Sequence, residues 1–162
     1  MPMIEEQHPW FDHAPDPANP GWMTWNAKDS SRYNGFLGSI AIREDAAPGC
    51  GWVRMMPGHQ HSNFGENVHG GTILGFIDVC LFAGSRAIGI DLGGRAVTVE
   101  LSTQFVGAAI VGRALDCKLE SVRETGKMLF LRGLLMQRPR DDADYANVAS
   151  FNGILRKGLP RP

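Results

Sequence analysis

One segment, Gly70–Ala87, constrains this chain more than any other. Ile73, Leu74, Phe76, Ile77, Val79, Cys80, Leu81, Phe82 and Ala83 surround the axis of a helix there, and a helix apolar all round is expected to be buried. Every other strong pattern is extended. Strands are predicted over Tyr33–Arg43, Cys50–Met56, Ala96–Val106, Gly112–Val122, Lys127–Gln137 and Tyr145–Leu155. In the third of these, Val97, Val99, Leu101 and Phe105 alternate with Thr98, Glu100, Ser102 and Gln104, as in a half-buried strand. Leu129–Gln137 is apolar on both faces and is expected to be central. Glu44–Gly49 and Thr125-Gly126 read as hairpin turns, and Pro57–Asn67 as a loop. One helix with about six strands in hairpin order predicts the α+β class, with an antiparallel sheet.

The opening differs in composition. Residues 1–30 carry Pro2, Pro9, Pro15, Pro17 and Pro20 with Trp10, Trp22 and Trp25. The prolines prevent a long regular element, and the tryptophans argue that the segment docks on the body. A short helix is expected over Gly21–Ala27. The chain thus divides into an N-terminal extension, 1–30, and a single domain, 31–158. With 162 residues, 43% hydrophobic and 20% charged, it is long enough for a core and too apolar for disorder. Lys+Arg 16 against Asp+Glu 17 gives a net charge of −1, which does not resemble a nucleic-acid footprint. The apolar run Ile73–Ala83 is broken by Asp78 and too short for a membrane span, and the N-terminus does not read as a secretory signal. Cys50, Cys80 and Cys117 form no CxxC and are read as reduced residues of a cytoplasmic protein.

Asp78 is the residue that such a helix should not contain. A carboxylate in apolar surroundings costs several kcal/mol unless it is paired, solvated or functionally placed. A structural pairing, with Arg86 for example, is the plainer alternative. Gly71, Gly75, Asp78, Phe82 and Ser85 recur on one stripe, and two glycines beside the acid leave room for a close approach by a helix, a strand or a ligand. At the helix start, Asn67-Val68-His69-Gly70-Gly71 offers unpaired N–H groups at the positive end of the dipole, a plausible oxyanion cradle. From Gly71 to Asp78 the helix rises about 10.5 Å. The side chain recovers about 3 Å of that. Asp78 should therefore not reach a carbonyl held at its own helix start, and a site using both is expected to be shared by two copies in a C2 dimer. His59, His61, His69 and Asp78 are acceptable metal donors, but their spacing is not diagnostic and no metal is expected. No Walker loop, G-x-G-x-x-G or G-x-S-x-G is present.

The ordered set His61-Ser62-Asn63, Asn67-Val68-His69-Gly70-Gly71-Thr72, Asp78, Val97-Thr98-Val99-Glu100-Leu101 and Gln104-Phe105, with the hairpin Glu124–Lys127, resembles hotdog-fold acyl-CoA thioesterases of the phenylacetate-degradation type, in the hydroxybenzoyl-CoA thioesterase superfamily. The resemblance runs from about Tyr33 to Lys157. It implies a sheet wrapped around the helix, and dimers, often paired into tetramers, with the site between subunits. It implies that the Gly70 N–H polarises a thioester carbonyl. Asp78 of the other subunit would activate water or attack directly. Asn63 and His69 would orient water or the thiolate, and Thr98 would help hold the water. Coenzyme A would be part of the substrate, with no separate cofactor. Two alternatives stay open: a hydratase or dehydratase using His69 as base, and a non-catalytic acyl-CoA binder.

Overall fold

The computed structural model describes residues 8–160. The first seven residues of the N-terminal extension, Pro2 among them, lie outside the described residues. Twelve elements follow one another, ten of them in sheets or the long helix. Strands β1 (Phe11–Asp12), β2 (Met23–Thr24) and β3 (Asn26–Ala27) come from the opening. Helix α1 (Tyr33–Leu37) precedes β4 (Ile40–Glu44) and β5 (Cys50–Met55). A 3-10 turn at His59–His61 leads to helix α2 (Gly70–Ala87). Then come β6 (Val97–Phe105), β7 (Leu115–Glu124), β8 (Met128–Gln137) and β9 (Ala146–Arg156).

Seven strands make one antiparallel sheet in the order β2-β4-β5-β7-β8-β9-β6, and β1 pairs with β3 in a separate ladder. The apolar side of α2 lies on this sheet. Phe76, Ile77, Cys80 and Leu81 are buried in one cluster with Val53, Leu115, Leu119, Leu135 and Leu155. Contact is close enough to require glycine: a Cβ at residue 84 would stand 2.2 Å from a Leu119 methyl carbon. Helix-to-sheet packing thus accounts for Gly84.

Three expectations change. The segment Gly21–Ala27 is two short strands, not a helix, because Met23–Thr24 adds to the sheet edge against Ala41–Ile42. That raises the sheet from six strands to seven. Tyr33–Leu37 is a helical turn, and the strand begins only at Ile40. Asp29 braces the loop before that turn by accepting from the Ser31 N–H at 3.2 Å, and Gly38 ends the turn at φ 81°, a conformation that glycine alone adopts without strain. Finally, α2 is not buried all round. Gly71 and Leu74 are exposed and Gly75, Asp78 and Phe82 only half-buried, so one stripe stays uncovered by the described residues.

Strand β6 shares this property. It is an edge of the sheet, paired only with β9, and its apolar residues Val97 (42%), Val99 (55%) and Phe105 (52%) are exposed. The alternation read from the sequence is present, but nothing among the described residues covers its apolar side except at Leu101. The opposite edge and outer face are closed by the opening. Trp22 covers the outer face beside Trp52, Ala41 and Met136, while Trp25 enters the main core. Among the described residues no helix is long and apolar enough to cross a membrane.

Candidate active site

Two clusters line the uncovered side of α2. The first is the helix start. His69 is the N-cap, extended at φ −63° and ψ 139°, and its Nδ1 accepts from the Gly71 N–H at 2.8 Å. Nδ1 as acceptor leaves the ring proton on Nε2. The His69 backbone N–H donates to the His61 carbonyl at 2.8 Å, which fixes the loop against the helix. Asn63 organises that loop: its Oδ1 accepts from the Gly65 and Asn67 N–H groups at 2.8 and 3.1 Å. The Gly70 N–H has no acceptor among the described residues. Phe105 stands beside it, its ring 3.6 Å from where a Gly70 Cβ would lie. An unpaired N–H at the dipole's positive end, next to an apolar ring, can hold a developing oxyanion away from competing water.

The second cluster lies two turns along. Thr98 Oγ1 donates to Asp78 Oδ1 at 2.7 Å. Thr98 is on β6, so strand and helix fix the carboxylate jointly, and Oδ2 stays available. The plainer alternative, a pairing with Arg86, does not occur: the Arg86 guanidinium lies 5.9 Å from the centre of the Trp25 ring. Asp78 also lines a cavity of about 710 Å³ with Asn34, Phe82, Trp25 and Phe11.

The glycine stripe has a partner that the sequence did not identify. A Cβ at residue 75 would stand 1.8 Å from the Tyr33 hydroxyl oxygen, so α1 occupies the room left there. Tyr33 and Asn34 were missed because both fell inside an expected strand. Phe105 was marked only for its place in a motif, not for its contact with Gly70.

The structure therefore brings Asn63, His69 and Gly70 together at one end of α2, and Asp78 with Thr98 at the other. It does not bring the two groups together within one chain. His61 belongs to neither. It is buried, its Nδ1 accepting from the Gly58 N–H at 2.9 Å and its Nε2 lying 2.6 Å from the Phe36 carbonyl oxygen. Both ring nitrogens are thus committed to the backbone. Cys80 is buried against Cys117, and burial pushes its thiol well above the ordinary range, which leaves it unreactive.

Comparisons with known proteins bear on the fold that carries these residues. The family model described as thioesterase superfamily matches residues 65–143. Among solved structures, zebrafish thioesterase superfamily member 2 is similar at 20% identity and a TM-score of 0.60, over 80% of this chain and 89% of that one. The Escherichia coli PaaI protein from the phenylacetic acid degradation operon is similar at 18% identity and 0.61, over 78% and 83%. A hypothetical thioesterase from Streptococcus pneumoniae, solved with coenzyme A, is similar at 19% identity and 0.60, over 76% and 88%. No curated protein matches the chain. The sheet wrapped on one long helix is the hotdog fold that these solved structures share, and the match to the thioesterase superfamily model runs across α2, β6, β7 and β8.

Proposed function

We propose that the protein hydrolyses an acyl-CoA thioester to a carboxylic acid and coenzyme A, at a site made from two subunits. The observation that carries this is the Thr98–Asp78 hydrogen bond, which fixes a carboxylate at a cavity wall two turns from the Gly70 N–H. Coenzyme A as the thiol is supported by the pneumococcal structure, which holds it.

Strand β6 supports the sharing. Its Thr98 end lies at Asp78 and its Phe105 end at Gly70. Two β6 edges paired antiparallel about a two-fold axis would set the Thr98 end of one against the Phe105 end of the other. Asp78 of one subunit then faces the Gly70 N–H of its partner. The same pairing covers Val97, Val99 and the uncovered stripe of α2, and satisfies a nine-residue edge that otherwise invites association. A dimer, or a dimer of dimers, follows from this reading, and a cytoplasmic location suits its substrate.

In the reaction, the Gly70 N–H and the dipole of α2 hold the carbonyl oxygen. Asp78 takes a proton from water as the water oxygen attacks the carbonyl carbon. The tetrahedral intermediate collapses, the C–S bond breaks, and the thiolate leaves toward the Nε2–H of His69. Thr98 keeps Asp78 oriented throughout. The N–H is worth about 3 kcal/mol if it acts like other oxyanion donors. His69 in this tautomer is a donor, which favours hydrolysis over a hydratase reaction that needs it as a base. Asn63 acts through the loop that positions His69.

Thiol release from a panel of acyl-CoA esters, in wild type and Asp78→Asn, tests this. Turnover that falls at least about a hundredfold in a folded variant supports the hydrolase. Binding of CoA esters with no thiol release from any of them contradicts it.

A further inference from the structure

The cavity at Asp78 is lined in part by residues that lie outside the family match. Asp78 stands at one end. Phe82 follows one turn along α2 and Arg86 two turns, a rise of about 12 Å from Asp78. The far end is built by the opening. Phe11 stacks on Trp25 with ring centres 4.6 Å apart and planes 7° apart, and both line the cavity with Ile90. Arg86 lies over the same Trp25 ring at 5.9 Å, which places the stack at the far end of the stripe from the carboxylate.

This stack is held from two sides. Trp25 is buried, and its backbone N–H donates to the Ile40 carbonyl at 2.8 Å. Phe11 pairs with Ala27 and Asp12 with Asn26 in the β1–β3 ladder. His13 meets Trp25 edge-on at 5.6 Å. The wall is a stack of two parallel rings, with the His8 ring packed against both at 5.2 Å from Phe11 and 4.9 Å from Trp25.

Resting on the proposed function, we infer that the Phe11–Trp25 stack is the specificity-determining wall of the acyl site. It admits compact acyl groups that end within the reach from Asp78 to Arg86, and rejects long, straight acyl chains. Phe11 is the variable half of the wall. Its ladder hydrogen bonds are made by backbone, so truncating its ring shortens the wall while the strand stays in place.

The test compares wild type with Phe11→Ala and Phe11→Trp in two assays. The first is kcat/KM on a straight-chain series from butyryl-CoA to palmitoyl-CoA. The second is equilibrium binding of the matching S-alkyl-CoA thioethers, which cannot be hydrolysed, with melting curves to confirm folding. The expected result is an increase of about tenfold or more in the lauroyl-to-butyryl preference of Phe11→Ala, in both assays, and a decrease in Phe11→Trp. An unchanged chain-length preference in folded variants overturns the wall. Absence of thiol release in every protein overturns the hydrolase reading alone, since the thioether series still reports the wall. Thioethers that bind to no variant overturn the wall as well.

Discussion

The outer face of the sheet and the uncovered side of α2 are built on opposite principles. On the outer face every strong charge is answered. Arg54 forms a two-pronged ion pair with Asp116 at 2.7 and 2.8 Å, Tyr145 donates to Asp116 Oδ2 at 2.6 Å, and Asn19 of the opening accepts from Arg54 at 3.0 Å. Asp116 raises the Arg54 pKa by these bonds, and burial, with the Asp116 bond next, pushes the Tyr145 hydroxyl up. Arg43 and Arg54 lie over the Trp22 ring at 4.9 and 4.4 Å. On the α2 side, Asp78 has one hydroxyl partner, the Gly70 N–H has none among the described residues, and β6 exposes its apolar residues. One face spends its polar groups on holding the fold. The other leaves them uncommitted among the described residues.

The sharpest way to break this contrast is to remove one acid from each face. Asp116→Ala strands Arg54, whose side chain is 24% exposed, and should cost about 3–5 kcal/mol in urea unfolding, while activity per folded molecule persists. Asp78→Asn should do the reverse: a loss of about 10²–10⁴ in kcat, with an unfolding midpoint equal to or above that of wild type. If both variants lose stability alike, the two faces are not distinct.

Thr98→Val sharpens the comparison within the site. It removes the donor to Asp78 and nothing else that is buried, so kcat should fall about tenfold with KM and melting temperature nearly unchanged. A change in melting temperature instead would make Thr98 a structural residue of β6.

The smallest expected effect is a pH dependence on the locked side. Asp45 accepts from the Ala47 N–H at 2.9 Å and from the Trp52 indole, with Lys118 beyond, and these hold its carboxyl at about 2 against an ordinary 3.8. A depressed acid stabilises the fold above its unfolded pKa and loses that contribution as pH falls through its folded one. Asp45→Asn should therefore melt below wild type at neutral pH, and the gap should close between pH 3.8 and about 2. A gap that is constant over that range would contradict the assignment.

What the sequence reveals follows the same division. Helix α2 and its start at His69-Gly70-Gly71, the stripe through Asp78 and the antiparallel class are legible because period and local chemistry specify them. The locked face is not. Arg54 and Asp116 are 62 residues apart, and Tyr145 lies 29 residues beyond Asp116, so no local pattern joins them. The opening misleads for a related reason. Met23–Thr24 is a strand because β4 is beside it, and Asn26 reinforces this by accepting from the Ile40 N–H at 2.8 Å. Tyr33 over Gly75 leaves only a glycine as its trace. The exposure of α2 and β6 is unreadable in another way: the apolar pattern is real, but nothing among the described residues covers it.

Whether the site is divided between subunits is decided by mixing two variants. Asp78→Asn removes the carboxylate. Gly70→Pro removes the N–H, and it suits the fold because proline is tolerated at a first helical position and His69 is already extended. Each variant alone should be inactive. Subunits exchanged between the two should regain about a quarter of wild-type activity, because a mixed dimer holds one intact site. No recovery after exchange is confirmed would contradict the shared site.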